Sequence, residues 1–177
     1  DMFFRLAGGG EYYRADCAID PSVGRRIPED TTLIYWDYYS FDQAHYDAML
    51  RAHLQITPNI VFAASARKAN SYVPCNHFSI ECARHAFPAC VAQGIRQVLV
   101  TLWGDNGAEC SLFGALPTLQ YWAELCWRGE AEDGALRAAF AACAKANWED
   151  FLALGASRLG TSRIVKIAKQ LEAEKTE

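Results

Sequence analysis

The sequence has no excess of positive charge. Its 17 lysines and arginines stand against 21 aspartates and glutamates, for a formal net charge of −4. Nucleic-acid binding draws most of its affinity from basic side chains that neutralise phosphates, so no nucleic-acid partner is expected. No apolar run approaches the roughly 18 residues of a membrane-crossing helix, so no membrane partner is expected either. The opening DMFFRLAGGG lacks the charged start and longer apolar core of a signal peptide. It also lacks a methionine at position 1, from which we expect the chain to begin inside a larger product or to have been processed.

Several chemical signatures are missing as well. There is no GxSxG, P-loop, HExxH or GxGxxG motif, and the GGG at 8–10 has no strand–helix context for cradling phosphate. Seven cysteines (Cys17, Cys75, Cys82, Cys90, Cys110, Cys126 and Cys143) form an odd set without a CxxC pair. They read as buried, reduced thiols of a cytoplasmic protein rather than a disulfide or zinc framework. His45, His53, His77 and His85 share no metal-ligand spacing, and they read as core or surface residues. No metal and no organic cofactor is expected.

At 177 residues and 51% hydrophobic, the chain can bury one ordinary core. Three near-continuous apolar runs read as strands buried on both faces: TLIYW at 32–36, NIVFAA at 59–64 and QVLVTLW at 97–103. MFFRL at 2–6 has the composition of a fourth strand. Between the runs, DQAHYDAMLRAHLQ (42–55) starts at a capping Asp and places Tyr46, Met49, Leu50 and His53 on one side. SIECARHAFPACVAQG (79–94) reads as a helix from Ser79 to Gly94, with Pro88 expected to kink or break it. This βαβ alternation is that of a parallel α/β fold. After Gly114 the pattern becomes helical over 116–129, 133–155 and 161–175.

Active sites of parallel α/β folds lie where the strands end at their C-termini, because the βα loops meet there. TLIYW runs into Asp37-Tyr38-Tyr39. NIVFAA runs into SARKANSY, with Ser65, Arg67, Lys68, Asn70 and Tyr72. QVLVTLW runs into GDNGAE. Rings beside carboxylates and amides suit a sugar, whose C–H faces stack on aromatics and whose hydroxyls bond to Asp, Glu or Asn. Taken singly, Trp103 reads as a strand-end core residue, Asp37 as a cap and Asp105-Asn106-Gly107 as a turn. Their recurrence at three strand ends favours a pocket.

At the same positions the sequence resembles glycoside hydrolase family 20, the β-N-acetylhexosaminidases, and most of all its bacterial exo-acting N-acetylglucosaminidases. DMFFR (1–5), LIYWDYY (33–39), NIVFAA (59–64) and LWGDNGAE (102–109) carry the resemblance, which covers roughly residues 1–128. It implies strands five to eight of a (β/α)8 TIM barrel over 1–128, followed by a helical C-terminal region over 129–177. It also implies retaining, substrate-assisted hydrolysis of terminal β-linked N-acetylglucosamine or N-acetylgalactosamine, with the acetamido oxygen as nucleophile. That family's catalytic Asp-Glu pair ends strand four, and no adjacent Asp-Glu exists here; Glu29-Asp30 and Glu149-Asp150 have the reverse order. The chain is therefore expected to supply sugar-binding walls without the acid. It should associate with the remainder of a barrel or with itself, because half a barrel leaves open edges.

Carried over position by position, Trp103 stacks on the sugar or its acetamido group and Asp105 bonds hydroxyls, with Glu109 beside it. Trp36 and Asp37 form the strand-six wall, and Asp1 faces the pocket from strand five. Arg67 and Tyr72 belong to the loop after 59–64. One departure stands out: where this branch carries Trp-x-Trp, the chain reads Arg67-Lys68-Ala69. A non-catalytic carbohydrate-binding pseudo-enzyme, or an unrelated barrel hydrolase, stays open beside the hexosaminidase reading.

Overall fold

The computed structural model of the protein describes residues 9–16, 19–68, 73–105 and 110–154. At its centre lie three parallel strands, β1 (Leu33–Trp36), β2 (Ile60–Ser65) and β3 (Val98–Thr101), hydrogen-bonded in consecutive order. Helix α1 (Pro21–Arg25) precedes the sheet, α2 (Gln43–Leu54) joins β1 to β2, and α3 (Asn76–Ala92) joins β2 to β3. A 3-10 turn at Leu112–Ala115 leads into α4 (Leu116–Arg128), followed by α5 (Asp133–Ala144) and α6 (Trp148–Leu154). The fold is mixed α/β with a small parallel sheet. Among the described residues no helix is long and apolar enough to cross a membrane.

Both crossover helices lie on one face of the sheet, as expected when consecutive parallel strands are joined by crossovers of one hand. On that face Tyr35 pairs with Phe62, and Phe62 with Val98. The Phe62 ring meets Tyr46 of α2 edge-on and Trp122 of α4 at 6.1 Å between centroids. The 3.6-residue spacing along α2 buries Tyr46, Met49, Leu50 and His53 against it. Leu136 and Phe140 of α5 and Trp148 of α6 extend the same buried cluster. Gly24 of α1 permits a close approach to the turn after α2, since a Cβ there would lie 2.6 Å from the Ile56 carbonyl oxygen.

The other face of the sheet is covered only along its central strand. Trp36, Ala63 and Leu99 form one row across it; Ala63 is buried, whereas Trp36 is 39% exposed and Leu99 46%, with Ile34 at 41% one row below. Parallel sheets ordinarily bury both faces, so this apolar row is the unusual surface of the fold.

The strands and α2 lie within a residue or two of the expected runs, except that β3 ends at Thr101 and leaves Trp103 in the loop beyond it. Asp42 caps α2 by accepting from the Ala44 amide. Helix α3 differs in two ways. It begins three residues before Ser79, whose hydroxyl accepts from the Arg67 amide, and it runs unbroken through Pro88. Pro88 and Arg84 both lie on the exposed side of the helix, where the lost bond between them costs least. The expected helix over 133–155 is two helices. Lys145 turns left-handed at φ 54°, and Asn147 accepts from the Glu149 amide to start α6. The cysteines are also more varied than expected: Cys82, Cys90 and Cys110 are buried free thiols, whereas Cys126 and Cys143 are exposed. Residues 2–6 and 161–175 lie outside the described residues.

Phe62→Ala removes the ring shared by β2, α2 and α4. It is expected to cost about 3–5 kcal/mol of stability, the usual scale for emptying an aromatic core site. Urea unfolding measures this, and a loss below about 1 kcal/mol would mean that Phe62 is not a centre of the packing.

Candidate functional site

The C-terminal ends of the three strands meet in a half-open cleft of about 260 Å3, lined by Trp36, Tyr38, Tyr39, Ser65, Arg67, Trp103 and Asp105. That is slightly below the roughly 300–1,000 Å3 of sites for drug-sized ligands, and it suits a single small ring. Trp36 stands on the open face at the end of β1, and its ring lies 5.2 Å from that of Trp103, tilted by 36°. The two indoles, one from the end of β1 and one from the loop after β3, pack against each other at one side of the cleft. Ser65, at the end of β2, donates to the Thr101 carbonyl at 3.3 Å. Burial, with the neighbouring Tyr39 hydroxyl, pushes the Tyr38 hydroxyl up to about 12.

Two cations support the far wall. Arg67 follows β2, and its guanidinium carbon lies 4.8 Å from the Phe78 ring centroid and 5.6 Å from that of Tyr39. Lys68 is only 3% exposed, and its Nζ donates to the Trp103 carbonyl at 3.3 Å, tying the loop after β3 to the loop after β2. Asp105 is the exposed carboxylate of the cleft.

Asp37 is a correction to the expected wall. It does not line the cleft; it lies behind it at 1% exposure, and its oxygens are occupied. One oxygen accepts from the Tyr35 hydroxyl at 2.7 Å and meets His45 Nε2 at 2.7 Å, while the other accepts from the Tyr39 amide at 3.2 Å. Three partners offset the desolvation of a buried carboxylate. The hydrogen bond to Asp37 raises the His45 pKa above its ordinary 6.5, against a smaller opposing effect of burial. The Tyr13 ring meets the His45 imidazole edge-on at 6.2 Å. His53 is the opposite case. Burial lowers its pKa to about 4, and its Nδ1 lies 2.8 Å from the Met49 carbonyl, so it is a neutral core histidine.

Four of the expected residues, Trp36, Arg67, Trp103 and Asp105, thus meet in one cleft. Asp1, Tyr72 and Glu109, with Asn70 and Asn106, lie outside the described residues. Tyr38, Tyr39 and Ser65, which the strand-end pattern included but to which no sugar contact was assigned, line the same cleft. The His45–Asp37 pair was also missed. Its signal is a carboxylate just past a strand and an imidazole in the first turn of the next helix, which the βα turn folds together.

A larger cavity of about 470 Å3 opens elsewhere, beside the start of β3, lined by Phe87, Cys90, Val91, Ile95, Arg96 and Cys126 among others. It is the flank of an edge strand with a single cation and no converging polar groups, so the smaller cleft is the better candidate. Among the described residues no three His, Cys, Asp or Glu side chains gather as a metal site. Compared with protein-family models and with curated proteins, the chain matches none.

The raised pKa of His45 makes its ion pair with Asp37 a pH-dependent support. Because the folded value exceeds the unfolded one, the stabilisation is full below about pH 6.5 and is lost as pH rises through the folded value. Wild type should therefore exceed His45→Gln in stability by a wider margin at pH 6 than at pH 9, as measured by denaturant unfolding at both. An equal margin at the two pH values would mean that the imidazolium adds nothing.

Proposed function

We propose that this chain forms the sugar-contacting wall of a β-N-acetylhexosaminidase of the glycoside hydrolase family 20 type, as part of a (β/α)8 barrel. The paired Trp36 and Trp103 rings, set at the strand ends beside Asp105, carry the proposal. The surface that this packed indole pair leaves exposed suits the C–H face of a pyranose, while Asp105, Tyr38 and Ser65 offer acceptors and donors to its hydroxyls. The consecutive parallel order and the one-sided helices support the barrel reading. Doubly wound sheets carry helices on both faces, whereas a barrel keeps them outside and fills its inner face with side chains from the opposite strands. The exposed Ile34, Trp36 and Leu99 are that inner face in this reading, covered by the remainder of a barrel or by a second copy of the chain.

Catalysis in this reading is substrate-assisted. The acetamido oxygen of the sugar attacks the anomeric carbon, and a carboxylic acid protonates the leaving oxygen. The chain's part is to hold the ring and exclude water from one side, with Trp103 against the sugar or its acetamido group and Asp105 on the hydroxyls. No adjacent Asp-Glu is present in these 177 residues, so the proton donor comes from outside them. The isolated chain binds terminal N-acetylhexosamine and does not hydrolyse it.

A second reading, a carbohydrate-binding protein without catalysis, is favoured by one observation: Arg67 stacks on Tyr39 where the resemblance calls for a tryptophan wall. A longer chain with a strand ending in Asp-Glu separates the two, because it hydrolyses a chromogenic N-acetylglucosaminide only in the enzyme reading.

Trp103→Ala is expected to weaken N-acetylglucosamine binding by about 1–3 kcal/mol, the scale of a lost aromatic anchor. Isothermal titration measures it, and unchanged affinity would remove the indole from the binding surface. In a chromogenic assay the 177-residue chain alone should release no product; turnover would mean that a proton donor lies within it.

A further inference from the structure

We propose that the cleft is built for an amino sugar carrying an anionic substituent, a phosphate, sulfate or carboxylate, bound by Arg67; this rests on the sugar reading above and adds charge selectivity to it. The backbone of Arg67 is pinned on both sides. Its amide donates to the Ser79 hydroxyl at 2.9 Å, and its carbonyl accepts from the Cys75 amide at 2.8 Å, so the start of α3 sets where the side chain begins. The guanidinium then lies against Phe78 and Tyr39. Stacking covers the planar face of a guanidinium and leaves its N–H donors, which lie in the plane, for another partner.

None of the described carboxylates is that partner. Asp37 is behind the wall and bonded to Tyr35, His45 and the Tyr39 amide. Glu81, one turn along α3, is bonded to Arg84 and His85. Asp105 lines the same cleft and forms no ion pair among the described residues. An Arg with no carboxylate partner among the described residues, held by rings at the edge of a cleft, is suited to phosphate or carboxylate through two parallel hydrogen bonds. Lys68 adds to it from beneath the Trp103 loop, although burial keeps its ammonium from direct contact. Among the described residues Arg67 and Asp105 are the charged side chains that line the cleft, so Arg67 is the group there that meets an anion. An anionic substituent on the ring adds a charge-assisted pair with Arg67 to the stacking and hydroxyl contacts that a neutral ring makes as well.

Titration calorimetry of the 177-residue chain at low salt tests this with N-acetylglucosamine, its 6-phosphate, its 6-sulfate, N-acetylmuramic acid and inorganic phosphate. At least one anionic sugar should bind tenfold or more tighter than N-acetylglucosamine, and the spread among the three identifies the anion preferred. The ratio of anionic to neutral affinity should fall to about one in Arg67→Ala and in Arg67→Gln, with Arg67→Lys in between, and should shrink in wild type as salt is raised. Equal binding of neutral and anionic sugars, or a preference that survives both neutral variants, overturns the assignment of Arg67 while leaving the sugar reading in place. Arg67-dependent binding of inorganic phosphate without binding of any sugar overturns both, since the cleft would then hold an anion of other chemistry.

Discussion

The carboxylate of Asp37, shut off from water just past the end of β1, is bonded at once by the Tyr35 hydroxyl, the His45 imidazole and the Tyr39 amide. The three partners come from the strand, the first turn of the next helix and the loop that walls the cleft. A buried carboxylate with fewer partners is expensive, so the three must be satisfied together, and their joint geometry sets how the chain leaves β1. Tyr46 reinforces the turn, because its buried hydroxyl donates to the Ser40 carbonyl and lies 3.3 Å from the Ser40 amide. Tyr39 is thereby held by its backbone while its ring remains free to stack with Arg67.

The cleft depends on this constraint at second hand. Trp36 immediately precedes Asp37, and alternation along β1 sends the two side chains to opposite sides, Asp37 toward the helices and Trp36 onto the open face. One residue of slip would exchange them and place a carboxylate on the apolar wall. Lys68 plays the matching part on the other side, tying the Trp103 carbonyl to the loop after β2 so that the second indole meets the first. Two buried charged groups therefore position two rings that neither of them touches through its charged end.

Most of the local pattern was legible in the residues. The capping Asp42, the buried set Tyr46, Met49, Leu50 and His53, and the three apolar runs all follow from spacing within a dozen residues, where periodicity and burial agree. The errors occurred where a local signal had two meanings. Ser79 looked like a helix cap but serves as an acceptor for Arg67, while Pro88 looked like a breaker but sits on the exposed side of a well-packed helix. Asn147 followed by Glu149 and Asp150 was a start signal that the Ala-rich run around it concealed.

Read alone, the sequence determined the alternation of strand and helix and the gathering of rings and acids at strand ends, because both are written in neighbouring residues. Only the tertiary structure decided which of those groups face the cleft. Asp37 turned inward to partners two and eight residues away, and Arg67 came to rest on one ring from the loop after β1 and one from the first turn of α3. The physical reason is that a side chain past the last bond of a strand takes its direction from long-range contacts, and no spacing along the chain encodes those.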